Sequence, residues 1–246
     1  MSGTLIWISG ANGGIGQGLI RTVPWEGARI IGIGRHQAPG TDEHVAADLA
    51  EPEHWERAAY SFEKGLSHFE GDRVVFVHAA GTLHPIGFAG EVDSAAYLTN
   101  VIVNSASPQA LGQLFIQHAR QVRAKRHCVI MTSGAARSVY PGWSSYGAAK
   151  AAVDQWVRDV GAEQELRGGG VQVLAIGPGT VDTGMQALMR ATPEEDFPSR
   201  QKFIELFEAG KLVSPDEVGR GIWACLDAGL PNGSVLDLRD RPAPTP

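Results

Sequence analysis

The chain has 246 residues, 43% of them hydrophobic, and a formal net charge of −6. That length suits one α/β domain around one substantial core, and the negative balance disfavours nucleic-acid phosphates as partners. No apolar stretch approaches the ~18 residues that cross a bilayer, and Cys128 and Cys225 sit far apart in apolar runs without zinc-ligand spacing, so they read as buried thiols and no metal site is expected.

Short β-branched runs alternate along the chain with longer helical patterns, which predicts a parallel sheet covered on both faces. The predicted strands are Thr4–Ser9, Arg29–Gly34, Arg73–His78, His127–Ser133, Val171–Ile176 and Val235–Leu238. Helices fill the intervals over Gly14–Val23, Pro52–Phe69, Ser94–Val122, Tyr146–Leu166 and Pro215–Ala228. Right-handed crossovers bring every strand's carboxyl end to one rim, where doubly wound folds bind ligands. Gly10, Arg35, Ala80, Ser133 and Pro178 fall at those ends. The expectation is a single doubly wound, Rossmann-type α/β domain over residues 1–240, with 241–246 as a loose proline-rich tail. The first residues run into a strand without a basic leader or apolar signal segment, so a cytoplasmic location is expected.

Taken in order, the first motif is the turn Gly10-Ala-Asn12-Gly-Gly14-Ile15-Gly16 between a strand and a helix. Glycines let backbone approach a pyrophosphate, whose charge meets unpaired N–H groups and the helix dipole; a merely flexible turn is the other reading. An NAD site would place Asp or Glu about twenty residues further on, against the adenosine ribose. Here the second strand ends Gly32-Ile-Gly-Arg35-His36, and the first acid, Asp42, comes later. Arg35 has the guanidinium that meets a 2′-phosphate, so NADP(H) is expected over NAD(H); the alternative is an Arg35 turned to solvent.

Tyr146 and Lys150, in Ser144-Ser-Tyr-Gly-Ala-Ala-Lys150, stand one helical turn apart. Positions i and i+4 share a face, so the Lys150 ammonium is expected beneath the Tyr146 phenol, favouring its ionised form. Ser133, at a strand end, would hydrogen-bond a substrate oxygen while Tyr146 delivers the proton. Lys150 would also hold the ribose hydroxyls of a nicotinamide. Residues 184–213, with Met185, Leu188, Met189, Phe197, Phe203, Ile204, Leu206 and Phe207, read as a helical lid that excludes water, or as core and subunit packing. Trp143 would flank a planar substrate, or simply pack.

Together these motifs resemble the short-chain dehydrogenase/reductase family over essentially the whole chain. The family's Thr-Gly-x3-Gly-x-Gly is matched by Ser9, Gly10, Gly14 and Gly16, and its Asn-Ser-Tyr-Lys tetrad by Asn104, Ser133, Tyr146 and Lys150. By that resemblance Asn104 supports a water that refills the phenol's proton; a helix Asn bonding its own backbone is the alternative. Asp48 and Leu49 fall at the adenine contacts, and Ala79, Ala80 and Gly81 line the dinucleotide. Pro178, Gly179, Val181 and Thr183 hold the carboxamide and neighbouring phosphates. Two departures stand out: Ser9 replaces Thr, and His78-Ala79-Ala80-Gly81 replaces Asn-Asn-Ala-Gly, which removes an asparagine that braces the central strand.

Gly142–Asp154, Val181–Leu188, Gly210–Val213 and Gly233–Asp237 resemble the sepiapterin reductase and benzil reductase-like branch. This implies an NADPH-dependent carbonyl reductase for a pterin side chain or an aromatic diketone, with Ser133, Trp143, Tyr146, Met185 and Asp237 against the substrate. Asp237 would anchor a pterin's amino-pyrimidine nitrogens, or be a polar strand-end residue. Two other readings fit the same motifs: an alcohol dehydrogenase working oxidatively, and a non-catalytic nucleotide-binding scaffold. The resemblance also implies a homodimer or homotetramer, with small molecules rather than nucleic acid or membrane as partners.

Overall fold

A computed structural model describes residues 3–240; the expected tail at 241–246 lies outside them. Seven strands, β1 (Thr4–Ser9), β2 (Arg29–Gly34), β3 (Glu43–Ala46), β4 (Arg73–His78), β5 (Lys125–Met131), β6 (Gln172–Gly177) and β7 (Val235–Asp237), form one sheet in the order β3-β2-β1-β4-β5-β6-β7. Every pairing is parallel. The helices are α1 (Gly14–Arg21), α2 (Trp55–Leu66), α3 (Ser94–Val101), α4 (Ser107–Ala119), α5 (Ser144–Leu166), α6 (Gly184–Ala191), α7 (Arg200–Glu208) and α8 (Pro215–Leu226). Strand order reverses between β1 and β4, which opens the crevice where doubly wound folds take ligands. No helix among the described residues is long and apolar enough to cross a membrane.

Both faces of the sheet are apolar because both are covered. Leu5, Trp7, Val74 and Phe76 point one way, onto Phe62 of α2 and Phe115 of α4. Their neighbours Ile6, Ile8, Val75 and Val77 point the other way, with Leu19 of α1 and Val218 and Ile222 of α8. Trp7 packs edge-on against Phe62 at 5.4 Å and Phe115 at 6.1 Å, and its indole donates to Ser61 Oγ at 3.0 Å, so no polar atom of the ring is stranded.

The amino-terminal end of the sheet buries a cation that is fully matched. Arg73 Nη2 donates to both carboxylate oxygens of Asp227 at 2.9 Å, and Lys125 Nζ donates to Asp227 Oδ1 at 2.9 Å. The Arg73 guanidinium lies 4.4 Å from the Trp25 ring, with its Nη1 3.1 Å from His127 Nε2. Burial pushes the His127 imidazole down to about 4, so it is neutral.

Three differences from the sequence-based reading have local causes. β3 is a four-residue edge strand, Glu43–Ala46, with three half-buried residues and an exposed Ala46, that has no apolar run to announce it. The single helix expected over Ser94–Val122 is α3 and α4 joined by a π turn at Ile102–Ala106. The expected strand His127–Ser133 runs Lys125–Met131, so Ser133 stands two residues past its end, extended and free to face the rim.

Candidate active site

β1 delivers its last residue straight into the glycine turn. Gly10 has φ +68°, and a Cβ there would lie 2.7 Å from the Ala80 backbone, so only glycine lets the β1 and β4 ends come this close. α1 then begins with no side-chain cap, leaving its first N–H groups facing the crevice. Asn12 Nδ2 ties the turn to the end of β2, donating to His36 O at 2.7 Å and Gln37 O at 3.1 Å. A cavity of about 450 Å³ opens here, lined by Gly10, Asn12, Arg35, His36, Asp48 and Leu49. Neither Gly14 nor Gly16 lines it; a Cβ on Gly14 would strike Thr183 and one on Gly16 would strike Gly10 O, so both serve close packing of the turn. An uncapped helix start, a glycine-rich turn and an arginine where an acid would stand fit a dinucleotide's phosphates.

A second cavity of about 470 Å³ continues from the first, and Ala79, Ala80 and Gly81 border both. Ser133, Trp143, Tyr146, Lys150, Met185 and the segment Pro178, Gly179, Val181 and Thr183 line it, as does Ile15. Tyr146 and Lys150 are 7% and 4% exposed, so the helix face predicted to carry them is turned wholly inward. Lys150 Nζ lies 5.7 Å from the Tyr146 ring centroid and donates to Met131 O at 2.9 Å. Burial pushes the ammonium down to about 8, with Asp154, one turn further along α5, pulling it back up.

The phenol departs from expectation. Burial raises the Tyr146 pKa, hydrogen bonding with Ser133 lowers it, and Lys150 is not among the causes. The ammonium is committed to a main-chain oxygen beside the ring rather than to the hydroxyl. In this state the phenol is held protonated, with Ser133 as its partner; Ser133 Oγ also accepts from Ala135 N at 3.2 Å.

Asn104 lies behind the site, fully buried in the π turn. Its Oδ1 accepts from Thr82 N at 3.1 Å, and its Nδ2 donates to Thr82 O at 2.8 Å, Asn100 O at 3.1 Å and Asn100 Oδ1 at 2.9 Å. It thus clamps the loop after β4 that borders both cavities, and it lines neither. The wide turn explains the neighbouring bonds: Ser107 N–H reaches back to Ile102 O, and the Ser107 hydroxyl takes Val103 O at 2.9 Å instead. His78, where the family has asparagine, meets Ser107 Oγ at 3.1 Å. Burial, with the Lys150 charge added, pushes its imidazole down to about 3.

The residues over the second cavity close on α5 through an aromatic stack. Trp143 and Phe197 lie 4.5 Å apart at 18°, and Trp143 meets Tyr146 edge-on at 5.6 Å. Gly142, at φ +92°, permits this, since a Cβ there would sit 2.2 Å from Asp196 O. Trp143 is therefore both packing and cavity wall. Of the apolar residues in 184–213, Met185, Met189, Phe203 and Leu206 line the cavity, Phe197 is core, and Phe207 is half exposed.

Asp237 is not where a free substrate anchor would be. It is 3% exposed and does not line the cavity. Its Oδ1 accepts from Arg239 N at 3.0 Å and Nε at 2.8 Å, and its Oδ2 accepts from Arg239 Nη2 at 2.6 Å. Burial alone would raise the carboxyl; the Arg239 bonds overcome it and hold it below the usual range. The residue that reaches the cavity is Arg239, which sequence reasoning missed together with Tyr140, Lys202 and Lys211. No motif marks Arg239, Tyr140 or Lys202; Lys211 lies within Gly210–Val213, a segment that signalled the resemblance but not a cavity-lining role.

A glycine turn, a strand-end serine and a Tyr-x3-Lys helix face meeting in one crevice are mirrored in known proteins. The short chain dehydrogenase family model matches residues 4–194. The chain belongs to that family. It is 31% identical to benzil reductase ((S)-benzoin forming) of Bacillus subtilis, over 95% of this chain and 97% of that one. To the enzyme of the same name from Bacillus cereus it is 29% identical, over 94% and 97%. A short-chain dehydrogenase/reductase structure from Saccharomyces cerevisiae superposes with TM-score 0.82 at 21% identity, covering 96% of each chain. The protein is thus an oxidoreductase of the short-chain dehydrogenase type, and the resemblance read from its motifs holds.

Proposed function

We propose that this oxidoreductase reduces the carbonyl of an aromatic ketone or diketone with NADPH, Tyr146 giving the proton. The observation that carries the reading is the position of Ser133, Tyr146 and Lys150 on one wall of a cavity continuous with the glycine turn. Reduced nicotinamide, when bound, supplies the hydride. Ser133 hydrogen-bonds the carbonyl oxygen as negative charge builds, and the protonated Tyr146 phenol quenches that charge. Lys150 holds a positive charge beside them, and the aromatic wall of Trp143, Phe197 and Phe203 excludes water. Asn104 acts as a positioning residue through Thr82.

Arg35, with no acid at the end of β2, supports NADPH over NADH. Among substrates, an aromatic diketone is favoured over a pterin because the Asp237 carboxylate is already matched by Arg239, and because relatives named as benzil reductases cover nearly the whole chain. Purified protein should consume NADPH, followed at 340 nm, with benzil, and more slowly with sepiapterin or simple ketones. Absence of turnover with every carbonyl would refute the reading. Arg35→Ala should lower the kcat/KM preference for NADPH over NADH roughly tenfold or more, the scale of a lost charge-assisted bond.

A further inference from the structure

Charge of one sign lines the second cavity. Lys150, Lys202, Lys211 and Arg239 border it, and among the described residues no aspartate or glutamate does. Arg239 is oriented from behind: its Nε and one Nη2 hydrogen are spent on buried Asp237, while its side chain stays 58% exposed. A guanidinium has five N–H donors, so three remain on the edge turned away from Asp237. The group lies over the strand ends, with Nη2 3.6 Å from where a Cβ on Gly134 would stand, one residue from Ser133.

A second cation converges on the same end. Lys202 Nζ, from α7, donates to the Tyr140 hydroxyl at 2.8 Å, and Tyr140, Lys202 and Arg239 all line this cavity. Tyr140 stands 5.0 Å from Trp143, so Lys202 reaches the edge of the aromatic wall of the cavity that Arg239 also borders. Asp237 and Asp240 balance Arg239, and among the described residues Lys202 has no carboxylate partner in the cavity, so an anion entering here would find the excess positive charge of Lys202 and donors already aimed.

Resting on the reductase reading above, we infer that the preferred substrate is an aromatic carbonyl compound carrying a carboxylate, its carbonyl at Ser133 and Tyr146 and its carboxylate at Arg239 and Lys202. Hydride adds to the carbonyl carbon, the oxygen takes a proton from Tyr146, and the carboxylate passes through unchanged. Keto acid, reduced dinucleotide and one proton give hydroxy acid and oxidised dinucleotide. The shared chemistry is anion binding, and a cofactor phosphate is the other source.

The test compares 4-carboxybenzil with benzil, and phenylglyoxylate with its methyl ester, by kcat/KM, alongside NADPH affinity from cofactor fluorescence. The wild type should favour the carboxylate in at least one pair by roughly tenfold, mainly through KM, and the preference should shrink as salt rises. Lys202→Gln should remove part of that preference. Arg239→Gln should remove most of it, and the double variant Asp237→Asn, Arg239→Gln repeats the measurement without an unmatched buried carboxylate. Reduction of benzil with no carboxylate preference in the wild type would overturn this inference and leave the reductase reading standing. Loss of NADPH affinity in Arg239→Gln with the substrate preference intact would assign the arginine to cofactor phosphate and overturn it likewise. No turnover of any of the four would overturn both.

Discussion

The two ends of the sheet each bury a cation beside a neutral histidine, and they treat it oppositely. At the amino end, Arg73 is clamped by both oxygens of Asp227, roofed by Trp25 and touched by His127. At the carboxyl end, the Lys150 charge acts on His78, and Lys150 has one main-chain oxygen as its hydrogen-bond partner, Met131 O at 2.9 Å. A buried charge that is matched costs little and fixes neighbouring strands; one that is left short of partners is destabilising and is retained where its charge is used. The comparison teaches where in this fold electrostatic strain is tolerated, and it is at the crevice.

The sharpest way to test that contrast is chemical. Tyr146→Phe removes the proposed proton donor beside Lys150 and should lower kcat by roughly 10²- to 10⁴-fold, while cofactor affinity, measured separately, stays near the wild-type value. Retained turnover would show that the carboxyl end does not carry the reaction.

Acid treats both ends alike. His78 and His127 have folded pKa values of about 3 and about 4 against 6.5 unfolded. Both are neutral when folded, so their contribution to stability is complete above pH 6.5 and is lost as pH falls from 6.5 toward about 4 for His127 and about 3 for His78, because the unfolded chain binds the protons first. Each histidine takes about 1.4 kcal/mol per pH unit in that window. Denaturant titrations from pH 7 to 5 should show the loss, and His127→Gln should reduce the slope by about half.

Substituting the cations separates the ends. Lys150→Met should reduce kcat about 10- to 100-fold yet hold or raise the melting temperature, since it relieves a charge that burial already disfavours. Arg73→Met should do the reverse. It should cost about 1 to 2 kcal/mol, discounted because Asp227 is 47% exposed, with kcat per folded molecule unchanged. A melting temperature lowered by Lys150→Met and untouched by Arg73→Met would break the comparison.

Much of this was legible in sequence because parallel strands buried on both faces must be continuous apolar runs, as in Thr4–Ser9 and Arg73–His78. The glycine turn and the Tyr146–Lys150 helix face were legible because their chemistry requires fixed local spacing. β3 escaped notice because an edge strand needs no apolar run. The π turn escaped because helical periodicity continues through it. Sequence leaves Asp237 open between a substrate anchor and a polar strand-end residue, because spacing does not reveal that the chain bends after β7 and brings Arg239 back over it. Arg239, Lys202 and Tyr140 meet only through tertiary packing.

The widened turn at Ile102–Ala106 has a consequence for chain length. It accommodates one residue more than a regular coil would, so a chain shortened by one residue here could still thread α3 into α4 without moving either. What would go is the slack that lets an amide reach an opened carbonyl. Such a deletion variant should stay folded while the Thr82 loop loses Asn104 and keeps the Asn100 Nδ2 bond to Thr82 O from the unmoved α3, loosening at the crevice.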